Sequence, residues 1–264
     1  MNLRLPLDEG LSYRSLSQRA RVVTETWAER NAFCVACTSE RLERTRNNTE
    51  VFDFSCSQCG AAYELKASSR PFCNRIVDAG YESMLRAIRQ DRLPHFFVLR
   101  YGAELVRDLM LIPSFTLSES AIEPRRPLSA TARRAGWVGC NIITSLVPPE
   151  GRIFIVESGN QASVSSVREQ FEVVSNLAKM APRSRGWTLD VLAALRNMGR
   201  EAFTLKEAYE LEGHLASLHP RNRNVRPKIR QQLQVLRDLG YLRFMERGVY
   251  EFIHNPQAKP STRM

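Results

Sequence analysis

Lysine is scarce in this 264-residue chain: it supplies five of the 38 basic residues and arginine the other 33. Lys66 is the only lysine before Lys179, so a lysine in a chemically suggestive place stands out. Long apolar runs are also absent. No stretch approaches the ~18 consecutive apolar residues that a membrane span requires, which argues against a membrane-embedded partner or role. The opening Met1-Asn-Leu-Arg-Leu-Pro-Leu-Asp-Glu9 has a cation but no apolar segment behind it, so no secretory leader is expected. There is no internal repeat and no low-complexity tract, which leaves out solenoids and tandem arrays.

What remains is ordinary globular material, 43% hydrophobic, 8% aromatic and 25% charged, long enough for one large domain or two smaller ones. Charge is the informative quantity. The excess of Lys and Arg over Asp and Glu gives +10 and a pI near 9.7, pointing to a polyanionic partner. Residues 1–182 hold 23 basic against 20 acidic residues, whereas residues 183–264 hold 15 against 8. The C-terminal third thus carries +7 of the +10, and the two parts are expected to do different jobs.

Periodicity predicts a helix from Ser15 to about Arg30 behind a serine cap, with Leu16, Ala20, Val23 and Trp27 on its apolar side. Residues 33–66 read as cysteine-rich with short strands. Asp78–Asp91 reads as a helix with Tyr81, Met84, Leu85 and Ile88 inward. His95–Tyr101, Leu105–Ile112 and Arg152–Glu157 have strand length, 124–141 is a basic loop, and Ser163–Met180 is helical. Pro182–Gly186 reads as a linker. Beyond it come helices over Trp187–Met198, Thr204–Leu218 (Thr204 as cap, Glu207 three residues on) and Arg226–Leu239, then a hairpin turning at Arg247-Gly248. That order is the winged helix-turn-helix plan.

Cys34-Val-Ala-Cys37 and Cys56-Ser-Gln-Cys59 are separated by 18 residues, the spacing of a four-thiolate zinc site. Four cysteine ligands leave no open position, so a structural Zn²⁺ is expected, and thiols held this way suit a reducing cytoplasm. Cys73 and Cys140 stand apart as buried or incidental.

Interleaved with the second pair is Asp53-x10-Glu64-Leu-Lys66, the form of the PD-(D/E)XK nuclease motif with Phe52 in place of its proline. Strand periodicity puts Glu64 and Lys66 on one face, with Asp53 on the preceding strand and the cysteine knuckle as the turn between them. Asp53, Glu64 and the Leu65 carbonyl form a hard oxygen set for Mg²⁺, and Lys66 would orient or deprotonate the attacking water. The competing reading is solvated zinc-ribbon surface. Spacing does not choose between them, while the rarity of lysine favours catalysis.

Two stretches are candidate DNA readers. Arg221, Arg223, Arg226, Lys228 and Arg230 place five cations in ten residues without an acid, opening a helix where Arg230 and Gln231 could read base edges. Arg247 at the hairpin tip would meet phosphate. Arg125–Asn141 carries Arg125, Arg126, Arg133, Arg134 and Trp137, either a nucleic-acid surface or a core tryptophan beside solvated arginines.

With these residues together, the chain resembles the DpnI-type methyl-directed restriction endonucleases. The likeness runs through Ser15-Leu-Ser-Gln-Arg-Ala-Arg21, Thr24-Glu-Thr-Trp27, the Asp53…Glu64-Leu-Lys66 motif among the cysteines, Arg126–Ile142, Gly151-Arg-Ile-Phe154, Ser184–Thr188 and Ile229–Asp238. The resemblance implies an α/β (α+β) PD-(D/E)XK nuclease core with an embedded zinc site (1–182), a winged helix-turn-helix domain (183–254) and a tail (255–264). It also implies double-strand cleavage of GATC carrying N6-methyladenine, with Trp137 against the methyl groups. The expected enzyme is Mg²⁺-dependent, cytoplasmic and monomeric, with methylated double-stranded DNA as its partner and no obligate protein partner. A zinc-ribbon/winged-helix regulator without catalysis, and a methylation-independent repair nuclease, are the alternatives.

Overall fold

The computed structural model describes residues 1–45, 52–71 and 74–253. Cys73 and the tail 255–264 lie outside the described residues. The first elements in chain order are α1 (Leu16–Asn31), β1 (Glu43–Arg44), β2 (Phe54–Ser55), β3 (Ala62–Ser68), β4 (Arg75–Gly80) and α2 (Tyr81–Arg89). Next come β5 (His95–Tyr101), β6 (Val106–Ile112), β7 (Ile122–Pro124), β8 (Gly139–Ile143), β9 (Ile153–Glu157), β10 (Asn160–Gln161) and α3 (Val164–Ser175). The C-terminal third holds α4 (Pro182–Asn197), β11 (Ala202–Thr204), α5 (Leu205–Glu210), α6 (Glu212–Leu218), α7 (Val225–Asp238), β12 (Leu242–Glu246) and β13 (Val249–Phe252).

Two compact units emerge. The first comprises Met1–Val77, Arg92–Ser114 and Gly151–Ser175; the second comprises Asp78–Asp91, Phe115–Glu150 and residues from Asn176 onward.

The first unit is built on a mixed sheet in the order β1-β2-β3-β5-β6-β9-β10. β3 runs parallel to β5, and every other neighbouring pair is antiparallel. The continuous apolar runs of β5 and β6 become its buried centre, with Phe96, Phe97, Leu99, Leu109, Leu111 and Ile112 almost fully enclosed. Trp27 of α1 and Val167, Phe171 and Val174 of α3 are buried in the same unit. Ser15 stands at the N-cap position of α1, but its hydroxyl pairs with Ser17 Oγ at 2.9 Å and caps no backbone N–H. Leu16, expected inward, is exposed with the rest of the first turn, Leu16–Gln18, whereas Val23 and Trp27 farther along α1 are buried.

The second unit contains a small sheet ordered β4-β8-β7, which the chain joins at Asp78, and a second one ordered β11-β13-β12. Asp78–Gly80, expected as helix, is strand, and α2 starts at Tyr81. Helices α4 to α7 bury Leu189, Leu192, Leu195, Leu215, Ile229, Leu233 and Leu236. Thr204 caps α5 through a complete capping box with Glu207, as the spacing predicts. The helix expected over Thr204–Leu218 is split at Leu211, ahead of the helix-weakening Gly213. The predicted linker does not exist: Pro182–Gly186 is the opening of α4, with Pro182 in its first turn. Arg185 explains why. It is buried and its guanidinium donates to Asp91 at 2.5 Å and to the Met180 carbonyl at 3.1 Å, so tertiary contacts overrule a loop-like composition.

Candidate functional site

The loop after α1 and the β2–β3 turn bring Cys34, Cys37, Cys56 and Cys59 together, with all four sulfurs within 4.8 Å of one another. The Cys34–Cys59 and Cys37–Cys56 sulfurs are each 3.5 Å apart, and none of the four is in a disulfide. The turn closes through Gly60 N–H to the Cys56 carbonyl at 2.8 Å, with Gly60 at φ +74°, a left-handed conformation that glycine adopts without strain. Burial works to raise the Cys56 thiol, but the backbone N–H groups of Cys59 and Gln58 outweigh it and bring it down to about 6. Around the cluster, Tyr63 Oη lies 3.2 Å from Cys34 Sγ and accepts the Val35 N–H at 3.2 Å. Arg168 of α3 donates to the Cys34 and Ser39 carbonyls at 3.1 and 3.0 Å. A Zn–S bond of about 2.3 Å implies tetrahedral S···S separations of roughly 3.8 Å, so this donor set could hold zinc without rearrangement. Cys140, by contrast, is buried and apart from the cluster.

Tyr63 also belongs to β3, which carries the other predicted residues. Glu64 and Lys66 share a face, and Lys66 Nζ lies 2.5 Å from Glu64 Oε1 with both side chains about a fifth exposed. Asp53 is not within a strand, as expected, but is the residue immediately before β2. It is fastened to β3 twice: its N–H donates to the Tyr63 carbonyl at 2.9 Å, and its Oδ2 accepts the Leu65 N–H at 2.8 Å. Burial raises the Asp53 carboxyl above the ordinary range and the nearby Glu25 charge adds to this; the Leu65 N–H, Lys66 and Arg21 act against it.

Asp53, Glu64 and Leu65 line an open cleft of about 510 Å³, together with Ser17, Arg21, Glu25, Ser68 and Arg70. Lys66 is not on its wall and meets it through Glu64. Two carboxylates and a strand residue on one cleft form the oxygen-rich set that Mg²⁺ takes. Glu25 and Arg21 were missed in the sequence. Their i,i+4 spacing was the available signal, but a glutamate between Val23 and Trp27 gives no periodic sign that it is buried.

The predicted DNA readers fall in the second unit. Residues 125–138 fold on themselves: Leu128 N–H donates to the Trp137 carbonyl at 2.9 Å, Gly136 N–H to Leu128 at 3.0 Å and Trp137 N–H to Arg134 at 3.0 Å. Trp137 is 36% exposed and Leu128 42%, with Arg133 and Arg134 exposed beside them, so Trp137 is not a core tryptophan. Gly139 sits beneath the indole, where a Cβ would come within 3.0 Å of its ring carbons.

Arg223 is exposed in the loop before α7, and Arg226, Arg230 and Gln231 are exposed on α7 itself. Arg226 is held by Glu212 at 2.7 Å, while Lys228 donates to Gln231 at 2.8 Å. Arg247 is exposed at the turn between β12 and β13. Behind α7 lies a buried polar cluster that the sequence did not announce. Thr188 Oγ1 donates to Gln232 at 2.6 Å, and Asp190 accepts Ser118 Oγ at 2.7 Å. His219 Nε2 stands 2.8 Å from Asp190, at angles poor for a hydrogen bond, while its ring stacks on Trp187 at 3.6 Å.

A mixed α/β domain with a four-cysteine cluster, followed by a helix-turn-helix, defines a two-part DNA-binding protein. The chain belongs to the DpnI, or Dam-replacing, family: the model of that family matches residues 1–180, and the Dam-replacing helix-turn-helix domain matches residues 183–252. It is thereby a DpnI-type relative of the methyl-directed restriction endonucleases with a C-terminal winged helix. Among the described residues no helix is long and apolar enough to cross a membrane.

Proposed function

We propose that this protein is a Mg²⁺-dependent type II endonuclease that makes double-strand breaks in adenine-methylated DNA, at GATC sites by analogy with its family. The observation that carries the reading is the convergence of Asp53, Glu64 and Leu65 on one cleft, with Lys66 paired to Glu64, in a chain of the DpnI family. On this reading the site is of the PD-(D/E)XK kind. In functional terms residues 1–182 are the cutting domain and 183–254 the winged-helix reader, with 255–264 as a tail. The enzyme acts as a cytoplasmic monomer.

Asp53 and Glu64, with the Leu65 carbonyl, are the residues that would hold Mg²⁺. When bound, the ion supplies polarisation of the scissile phosphate and a lowered pKa for water. Asp53, fixed by the Leu65 N–H, keeps one carboxylate at a set distance from β3. Lys66 offsets charge that builds on the phosphate oxygens and orients the water, and its pairing with Glu64 holds the ammonium ready. Cys34, Cys37, Cys56 and Cys59 hold structural zinc and fix the turn that sets Asp53 against β3. Trp137 lies against the adenine methyl groups with Arg133 and Arg134 on flanking phosphates. Arg223, Arg226, Lys228, Arg230, Gln231 and Arg247 form the second reader.

Lys66→Ala tests the assignment. It should lower cleavage of methylated duplex by at least about a hundredfold, the usual contribution of a positioned proton-transfer group, with DNA affinity unchanged in a gel-shift titration. Cleavage at the wild-type rate would remove Lys66 and the motif from the mechanism.

A further inference from the structure

Arg21 has no part in the motif, yet it lines the same cleft as Asp53, Glu64 and Leu65. Its side chain is 64% exposed, and among the described residues its one hydrogen bond runs from Nε to Glu25 Oε1, one helical turn on, at 2.5 Å. The terminal Nη groups take no hydrogen-bond partner among the described residues. Glu25 is nearly enclosed, and its second oxygen accepts Arg44 of β1, which also reaches Glu29 at 4.0 Å. Both oxygens of Glu25 are therefore engaged by arginines. Glu25 is a positioning residue gripped from behind by Arg44, and the arginine it aims is the exposed one.

This is an arrangement with a use. A cleft lined by the carboxylates of Glu25, Asp53 and Glu64 repels the DNA backbone, and a cation fixed on its wall offsets that repulsion. A guanidinium whose rotamer is already set by a buried acid loses little freedom when its remaining donors grip a phosphate. The hydroxyls of Ser17, Ser68 and Ser69 and the exposed Arg70 line the same cleft and add donors of the kind that meet backbone phosphates.

We propose that Arg21, aimed by the Arg44-anchored Glu25, grips a DNA backbone phosphate at this cleft, independently of sequence and methylation. The proposal rests on the nuclease reading for what the cleft is, and its test is separate. Binding of a short methylated duplex without added Mg²⁺ is followed by fluorescence anisotropy over a salt series, alongside cleavage with Mg²⁺.

Arg21→Ala should weaken binding about tenfold, the loss of one charge-assisted contact, and flatten the slope of log Kd against log salt by about one contact's worth. The ratio of affinities for methylated and unmethylated duplex should stay as in the wild type. Arg21→Lys should keep the slope. Glu25→Gln should also keep it while weakening binding, because the charge remains but is no longer aimed; a role in folding alone would move the unfolding temperature and leave affinity unchanged. Wild-type affinity and slope in Arg21→Ala would overturn the proposal. Failure of the nuclease reading looks different: no Mg²⁺-dependent cutting by the wild type, with the Arg21 effect on binding still present.

Discussion

At the level of single residues, side chains between two structural tasks carry the account. Tyr63 is one. It sends its hydroxyl to Cys34 of the cysteine cluster, and its carbonyl accepts the Asp53 N–H. His95 is another. Its ring lies 5.3 Å from that of Tyr63 and 5.4 Å from that of Phe171, and its Nδ1 accepts the Ser114 N–H at 3.0 Å. Burial pushes His95 down to about 4. The folded state thus favours neutral imidazole, so the stabilisation is complete above the ordinary value of 6.5 and is lost as pH falls from there toward 4. The loss should reach about 2 kcal/mol, less than the full shift gives because the ring keeps some contact with solvent. Chemical denaturation at pH 7.5 and pH 4.5 measures it, and His95→Gln should flatten the difference; an unchanged pH dependence in that variant would show that other groups set it. The charged and polar residues of the cleft were legible at this scale only where a motif named them. Asp53 and Glu64 were, together with Lys66 paired to Glu64; Glu25 was not, since its burial depends on Arg44 from a strand 19 residues away.

Elements were legible where their pattern was local. The apolar runs His95–Tyr101 and Leu105–Ile112 became β5 and β6 almost residue for residue, and the Thr204 capping box was visible as spacing. The pieces that failed were decided by distant partners. Pro182–Gly186 has the composition of a linker, yet Arg185 pairs with Asp91 and the segment is helix. β11 is three residues whose strand state exists because β13 lies beside it. The β2–β3 turn, closed by Gly60, carries two of the four clustered cysteines and is the element a bound metal would hold. If zinc holds it, Cys56→Ser should abolish stoichiometric zinc in the purified protein and lower unfolding free energy by at least about 3 kcal/mol, well inside what structural zinc contributes. Cleavage should fall with it, because Asp53 is set by that turn. Wild-type protein that purifies without zinc and melts normally would contradict this.

For the molecule as a whole, the charge noted at the outset has a structural counterpart. The cysteine cluster and the carboxylate cleft lie in the first unit, whereas the 125–138 loop and α7 both lie in the second. Chain order hides this, because the loop precedes the C-terminal domain by some fifty residues and yet packs into the same unit. Truncation at residue 182 would therefore cut through the second unit, and substitutions are the better probe. Trp137→Ala should reduce the preference for methylated DNA by about 10- to 200-fold, the range for one methyl in an apolar site. Arg247→Ala should instead weaken methylated and unmethylated binding alike, with a shallower salt dependence. Equal effects of the two substitutions on the preference would contradict this division of labour.

The central claim, that the cleft of Asp53 and Glu64, with Lys66 paired to Glu64, cuts DNA marked by adenine methylation, is tested most directly with two plasmids. They are the same molecule grown with and without adenine methylation, each incubated with the purified wild-type protein and Mg²⁺. The account predicts discrete double-strand fragments from the methylated plasmid alone. Equal cutting of both would contradict the methyl requirement, and intact plasmids in both would contradict the nuclease.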